Sequence, residues 1–275
     1  MMIAEIFNFG FVQRALITGA LIAVACSILG VFLVLRRLSL IGDGLAHVTF
    51  GSVAAVILIG FSPFYAALAA LPLVMLSSLA ILQLTRSRRI HGDAAIGIVS
   101  SVGIALGVIM ASLSGGYNAD LLSYLFGNIL TATQTELVLS LIIFFMVILF
   151  VAFLYPDLFA VTFDEEMAKS MGVKTNRVNI ILLLLTAAAV VSAMKIAGIM
   201  LVSALLILPP VTALQLSLSF KKTIIASVFF SLLSVISGMI FSFAFNLPTG
   251  GTIVIFNAVF LLMVLLAKRI LRTQR

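Results

Sequence analysis

"ALITGALIAVACSILGVFLVL", residues 15–35, runs 21 residues without a charge between Arg14 on one side and Arg36 and Arg37 on the other. As a helix it would rise about 30 Å, the depth of a bilayer's hydrocarbon core. The stretch leading into it, "MMIAEIFNFGFVQRALITG", has neither the basic leader nor the small-residue cleavage site of a secretory signal, so the run is expected to be retained as a span. The rest of the chain matches it. Of 275 residues, 63% are hydrophobic and 9% charged, with mean hydropathy +1.34; soluble domains hold about 45–50% apolar and about 25% charged residues. A soluble fold would have too few polar side chains to cover such a core, whereas lipid accepts helices that are apolar all round once their backbone bonds close internally. The reading is all-α, a polytopic membrane helix bundle forming a single transmembrane domain over 1–275.

Apolar runs recur at about 15–35, 44–61, 64–85, 94–112, 135–155, 178–195, 197–217, 223–245 and 251–267, with a shorter one at 120–130. They give eight or nine spans. The count turns on 178–217, where Lys195 and Gly198 mark a tight outside turn if the spans are nine; one long helix with a re-entrant piece would make eight. Basic clusters fix the threading. With nine spans, Arg36/Arg37, Arg86/Arg88/Arg89, Lys169/Lys174/Arg177, Lys221/Lys222 and Lys268/Arg269/Arg272/Arg275 fall on one side, leaving Arg14 and Lys195 opposite. Basic loops stay in the cytoplasm, so the C-terminus is cytoplasmic and the N-terminus outside. The net charge of +7 is a topology signal, with lipid rather than nucleic acid as the surrounding partner. Cys26, the single cysteine, lies in an apolar run and reads as packing.

Against this background "RRLSLIGDGLAHVTFG", residues 36–51, is conspicuous. Asp43 and His47 are four apart, so a helix projects both from one face. Imidazole nitrogen with carboxylate oxygen suits zinc, manganese or iron, and two ligands are too few for a closed structural site. Ionisable groups at membrane depth face the interior of a bundle and mark pathways. The alternative is that Asp43 caps the second span, with Gly42 and Gly44 forming its turn, while His47 finds a backbone partner. Pro209 and Pro210, inside "LLILPPVTALQL", are pathway-lining candidates if they break a helix beside a watery cavity, or an ordinary kink near a helix end. Asp120, with Tyr117 and Asn118 in an outside loop, is a further pathway or entrance candidate, the alternative being a plain polar loop. His91 reads as solvated loop and Asp93 as a helix cap.

The longest polar interruption is the cytoplasmic segment of about 156–178. Asp164 to Gly172 reads as a short amphipathic helix. Asp164, Glu165 and Glu166 suit the positive end of the helix dipole, Ala168 and Met171 recur with Met167 on one face, and Gly172 can end it. Such a helix is either a docking knob for a protein or a loop helix that packs on the bilayer; three acids at its start disfavour an anionic leaflet and favour docking. No GxxxxGK[ST] loop, HExxH or GxSxG element is present, so the chain has no catalytic residues to assign and is not read as an enzyme.

Five stretches in order carry a resemblance: "GVFLVLRRLSLIGDGLAHVTFGSVA", "GDAAIGIVSSVGIALGVI", "LLSYLFGNIL", "FDEEMAKSMGVKTNRVN" and "GIMLVSALLILPPVTA". Together they resemble the membrane-spanning permease subunit of bacterial ABC importers for zinc, manganese and iron, nearly end to end. The resemblance implies a bundle of about eight or nine helices per chain related to cobalamin and siderophore permeases, in a bacterial plasma membrane. It implies a homodimer, two cytoplasmic ATPase subunits that bind ATP, and an extracellular metal-binding protein that delivers the cargo. No cofactor is held by the chain itself; the divalent metal is transported. Asp43 and His47 fall on the family's metal-contacting motif. Asp164, Glu165, Glu166, Ala168, Met171 and Gly172 fall on its ATPase-coupling segment. Where many manganese and iron members read SHAVLPG, this chain has "AHVTFGS" from Ala46 to Ser52, which leans toward zinc, with manganese or iron as the alternative. A reading from another class is a proton-coupled secondary metal transporter, which the Asp–His pair would also suit.

Overall fold

A computed structural model describes residues 10–86, 92–113, 127 and 133–273. Its helices in chain order are α1 (Gly10–Leu35), α2 (Ile41–Leu58), α3 (Pro63–Arg86), α4 (Gly92–Leu113), α5 (Gln134–Phe153), α6 (Tyr155–Phe163), α7 (Glu165–Ser170), α8 (Thr175–Gln215), α9 (Phe220–Phe245) and α10 (Thr249–Thr273). Among the described residues nine stretches are long and apolar enough to cross a membrane, because α8 contributes two, Thr175–Met194 (α8a) and Ala197–Gln215 (α8b).

The break in α8 is at Gly198, whose φ of 74° and ψ of 167° favour glycine. Contacts show that the chain reverses there. Val191 and Ser192 line a cleft with Thr133 and Glu136 at the outer start of α5. An uninterrupted helix would carry Leu206 about 21 Å beyond Ser192. Leu206 instead packs on Gly30 and Gly42, close to the cytoplasmic ends of α1 and α2. The nine-span threading is therefore the observed one. Basic clusters from separate segments also meet at one end of the bundle: Arg36 pairs with Glu165 at 3.3 Å, Lys221 lies over the Tyr155 ring at 5.1 Å, and Lys268 Nζ donates to Gln215 Oε1 at 3.5 Å.

In lipid, burial of apolar area does not pull spans together, so close backbone packing and hydrogen bonds must. The structure uses both. A Cβ on Gly103 would lie 2.8 Å from Val48 Cα, so α2 and α4 touch backbone to backbone at Gly103 and Gly51. Ser227 Oγ donates to the Ser27 carbonyl at 3.2 Å and Ser231 Oγ to that of Ala23 at 3.0 Å, lacing α9 to α1. At the cytoplasmic end Tyr155, Phe159 and Phe163 of α6 surround Phe220, with ring centres 5.9, 5.2 and 5.6 Å away.

Two readings that the sequence left open are decided. Gly42 and Gly44 form no turn. Both lie inside α2, where their lack of a side chain admits Leu206 and Ile96. The helix likewise runs on through Pro209 and Pro210. Pro210 has no N–H to donate to the Leu206 carbonyl, and that oxygen abuts Gly30, where any side chain would collide with it.

Candidate metal-translocation site

From Ile41 to Ala54 every residue of α2 is buried except Asp43 and His47. The helix is thus enclosed on all sides but one, and the exception carries its two ionisable groups. The Asp43 side chain is 48% exposed and that of His47 25%. Asp43 Oδ2 and His47 Nε2 stand 3.6 Å apart. Ligands about 2.0–2.2 Å from a tetrahedral ion lie about 3.5 Å from one another, so this spacing fits two donors on one divalent cation. Asp43 also lies in the first turn of α2, where the positive end of the helix dipole favours a carboxylate. The capping alternative is not observed: the N-cap position is Leu40, and no side chain caps α2.

Across the opening, α8b supplies Ser203, whose Oγ donates to Asp43 Oδ1 at 3.3 Å and also reaches the Ile199 carbonyl at 3.3 Å. Ser203 holds one carboxylate oxygen and leaves Oδ2 facing the imidazole. Sequence reasoning missed it, because 160 residues separate the partners and one serine in an apolar run carries no pattern. His47 Nδ1 is buried and has no hydrogen-bond partner among the described residues. No group of three or more His, Cys, Asp or Glu side chains gathers among the described residues, so the opening presents two ionisable side chains and a hydroxyl there.

Pro209 and Pro210 are buried in α8b below Ser203. Asp120, Tyr117, Asn118 and His91 lie outside the described residues. Asp93 sits inside the first turn of α4 rather than at its cap, since the helix already begins at Gly92.

The cytoplasmic segment holds a firmer construction. Asp164 caps α7, accepting from the Met167 N–H at 2.9 Å. Gly172, at φ 87°, ends it, with the Val173 N–H reaching back to the Ala168 carbonyl at 3.0 Å. Glu166 and Gly172 are exposed. Ala168 does not share a face with the methionines: it is fully buried, while Met167 and Met171 are 58% and 60% exposed. A helix of six residues has room for one inward anchor, and the small side chain takes it. Glu165 binds in two directions, pairing with Arg36 and accepting from Asn179 Nδ2 at 2.8 Å. Burial lowers the Arg36 pKa from its usual value, and the Glu165 carboxylate acts against that shift.

A reversed pair of spans, loops basic on one side and a sparse ionisable site inside an apolar bundle define a membrane transport permease. Residues 8–268 match the ABC 3 transport family, and the chain belongs to it. It is the membrane-spanning permease of an ABC transport system, a multi-pass protein of the plasma membrane. It is 34% identical to the manganese transport system membrane protein MntC of Listeria innocua over 91% of this chain and 88% of that one. It is 32% identical to the manganese import system permease protein ScaB of Streptococcus gordonii over 95% and 92%. Among solved structures, PsaBC from Streptococcus pneumoniae in complex with Fab superposes with a TM-score of 0.86 at 29% identity, covering 100% of this chain and 99% of that one.

Proposed function

We propose that the chain forms half of the translocation pathway of an ATP-driven importer of a divalent transition-metal ion, with Asp43 and His47 as the ligands the ion meets inside the membrane. The observation that carries this reading is that from Ile41 to Ala54 α2 is enclosed except at those two side chains, held 3.6 Å apart. Two ligands per chain are too few to trap an ion. A second copy of the chain facing the same opening would complete a shell that still releases its cargo. The partners that membership of the family implies are a second permease, two cytoplasmic ATPases that bind ATP, and an extracellular protein that presents the metal. Asp164, Glu165, Glu166, Ala168, Met171 and Gly172 belong to the segment that meets the ATPase, with Met167 and Met171 as its exposed apolar contacts. ATP binding draws the two segments together and switches the cavity between outward- and inward-facing states, a rigid-body change driven from outside this polypeptide.

The cargo is manganese or zinc. The stretch Ala46–Ser52 leans to zinc, the relatives are named for manganese, and a nitrogen–oxygen donor pair accepts both. Uptake of radioactive zinc and manganese by cells carrying Asp43→Ala or His47→Ala tests the site. Uptake of the cargo should fall to background in each, and wild-type uptake in both would discard the metal-contact role. Competition between the two ions in the wild type identifies the cargo. Metal movement by the purified permease alone, driven by a pH gradient, would instead favour the proton-coupled reading.

A further inference from the structure

The cluster of Arg36, Glu165 and Asn179 lies apart from the metal face and has no part in holding the ion. Arg36 is the first residue after α1; its side chain is 11% exposed and its Nη2 is 3.3 Å from Glu165 Oε2. Asn179, buried in α8a, donates to the other carboxylate oxygen at 2.8 Å. One carboxylate on α7 thus joins the end of one span to the beginning of another. Both partners are shielded from water, so neither is readily re-solvated if the carboxylate is removed.

The backbone beyond Arg36 has no slack. Leu38 N–H donates to the Leu33 carbonyl at 2.8 Å and Arg37 N–H to that of Val34 at 3.1 Å. Arg37 takes the left-handed conformation, at φ 59°. This is the two-bond ending that helices usually complete with glycine, built here with an arginine. Ile41 N–H then returns to the Leu38 carbonyl at 3.1 Å and Gly44 N–H to that of Leu40 at 3.0 Å. Hydrogen bonds thus brace the connection between Arg36 and Asp43 at both ends. A displacement of Arg36 therefore moves the first turn of α2 as a rigid piece, and Asp43 with it.

On these grounds, and resting on the function proposed above, we infer that Glu165 is a positioning residue that carries motion of α7 to the metal-contacting turn of α2 through Arg36. Glu165 touches no metal. It sits between the surface offered to the ATPase, Met167 and Met171, and the helix that presents Asp43 and His47. Asn179 holds the same carboxylate from α8a, so the two spans respond to α7 together.

The assembled importer, with its ATPases and binding protein in liposomes, provides the test, reading manganese or zinc uptake and phosphate release in the same sample. Glu165→Gln keeps an acceptor for Asn179 and removes the charge facing Arg36. Metal moved per ATP should fall about 10-fold while ATP hydrolysis changes little. Arg36→Glu should behave likewise, and joining it with Glu165→Arg should restore most of the lost ratio, since the reversed pair rebuilds the link. An unchanged ratio in Glu165→Gln overturns the inference, and so does a parallel fall of uptake and hydrolysis, which marks a plain structural pin. A reversed pair that assembles yet does no better than Arg36→Glu alone also overturns it. A wild-type complex that hydrolyses ATP and moves neither metal defeats the proposed function itself, an outcome separate from these three.

Discussion

Asp43 and His47 sit one turn apart on one helix, and among the described residues Asp43 accepts one side-chain hydrogen bond from another element, from Ser203 at 3.3 Å. Glu165, at the cytoplasmic end, is fixed to two other elements and stands beside a capped helix end. The first cluster is sparse and half open, the second multiply anchored to buried partners. On the proposed function, the difference follows from what each must do. A site that takes up an ion and lets it go gains nothing from a complete shell of ligands, whereas a joint that passes on a displacement loses it wherever a side chain can swing free.

The sharpest way to break the contrast is to disturb the frame that both clusters share. Gly103→Leu would press a side chain into the Val48 backbone, 2.8 Å from the first added carbon. At an overpacking cost of about 3 kcal/mol, the folded permease should largely disappear from a detergent size-exclusion profile. A normal profile would mean α2 and α4 are less tightly apposed than described. Asp43→Ala and His47→Ala should come next in size and differ in kind: elution unchanged, but the apparent affinity for transported metal reduced by about 100-fold or more. If either variant lost the folded peak instead, the pair would be structural.

Asp164→Ala removes the cap of α7 and should cost that helix about 1 kcal/mol. Stimulation of the ATPase by loaded binding protein should drop several-fold, with Asp164→Ser retaining most of it; equal effects of alanine and serine would exclude capping as the cause. Ser203→Ala should be the mildest change. It removes one hydrogen bond to a half-exposed carboxylate, worth about 0.7 kcal/mol or roughly 3-fold in apparent affinity. A loss as large as that of Asp43→Ala would promote Ser203 from holding the carboxylate to holding the ion.

The spans were legible because lipid imposes a length and an apolar composition that survive without tertiary context. The nine-span count needed Gly198, and the basic clusters resolved its direction before the contacts did. Asp43 and His47 were legible because the helical period alone places them on one face. What the sequence hid depends on distance along the chain. Ser203 meets Asp43 across 160 residues and Arg36 meets Glu165 across 129, and neither pairing leaves a local pattern. The glycines near Asp43 left a turn open for a related reason. In water Gly42 and Gly44 would signal a turn, but between packed spans they are the places where Leu206 and Ile96 fit. The face of α7 was misassigned because spacing over six residues cannot say which small side chain turns inward.

X-ray absorption on the metal held by the assembled importer, trapped with its binding protein removed, probes the intramembrane site itself. Imidazole scattering with nitrogen or oxygen ligands at about 2.0–2.2 Å is expected in the wild type, and its disappearance, with loss of bound metal, in His47→Ala. A trapped ion whose spectrum and stoichiometry are the same in wild type and His47→Ala would show that the ion crosses by a route that does not touch α2.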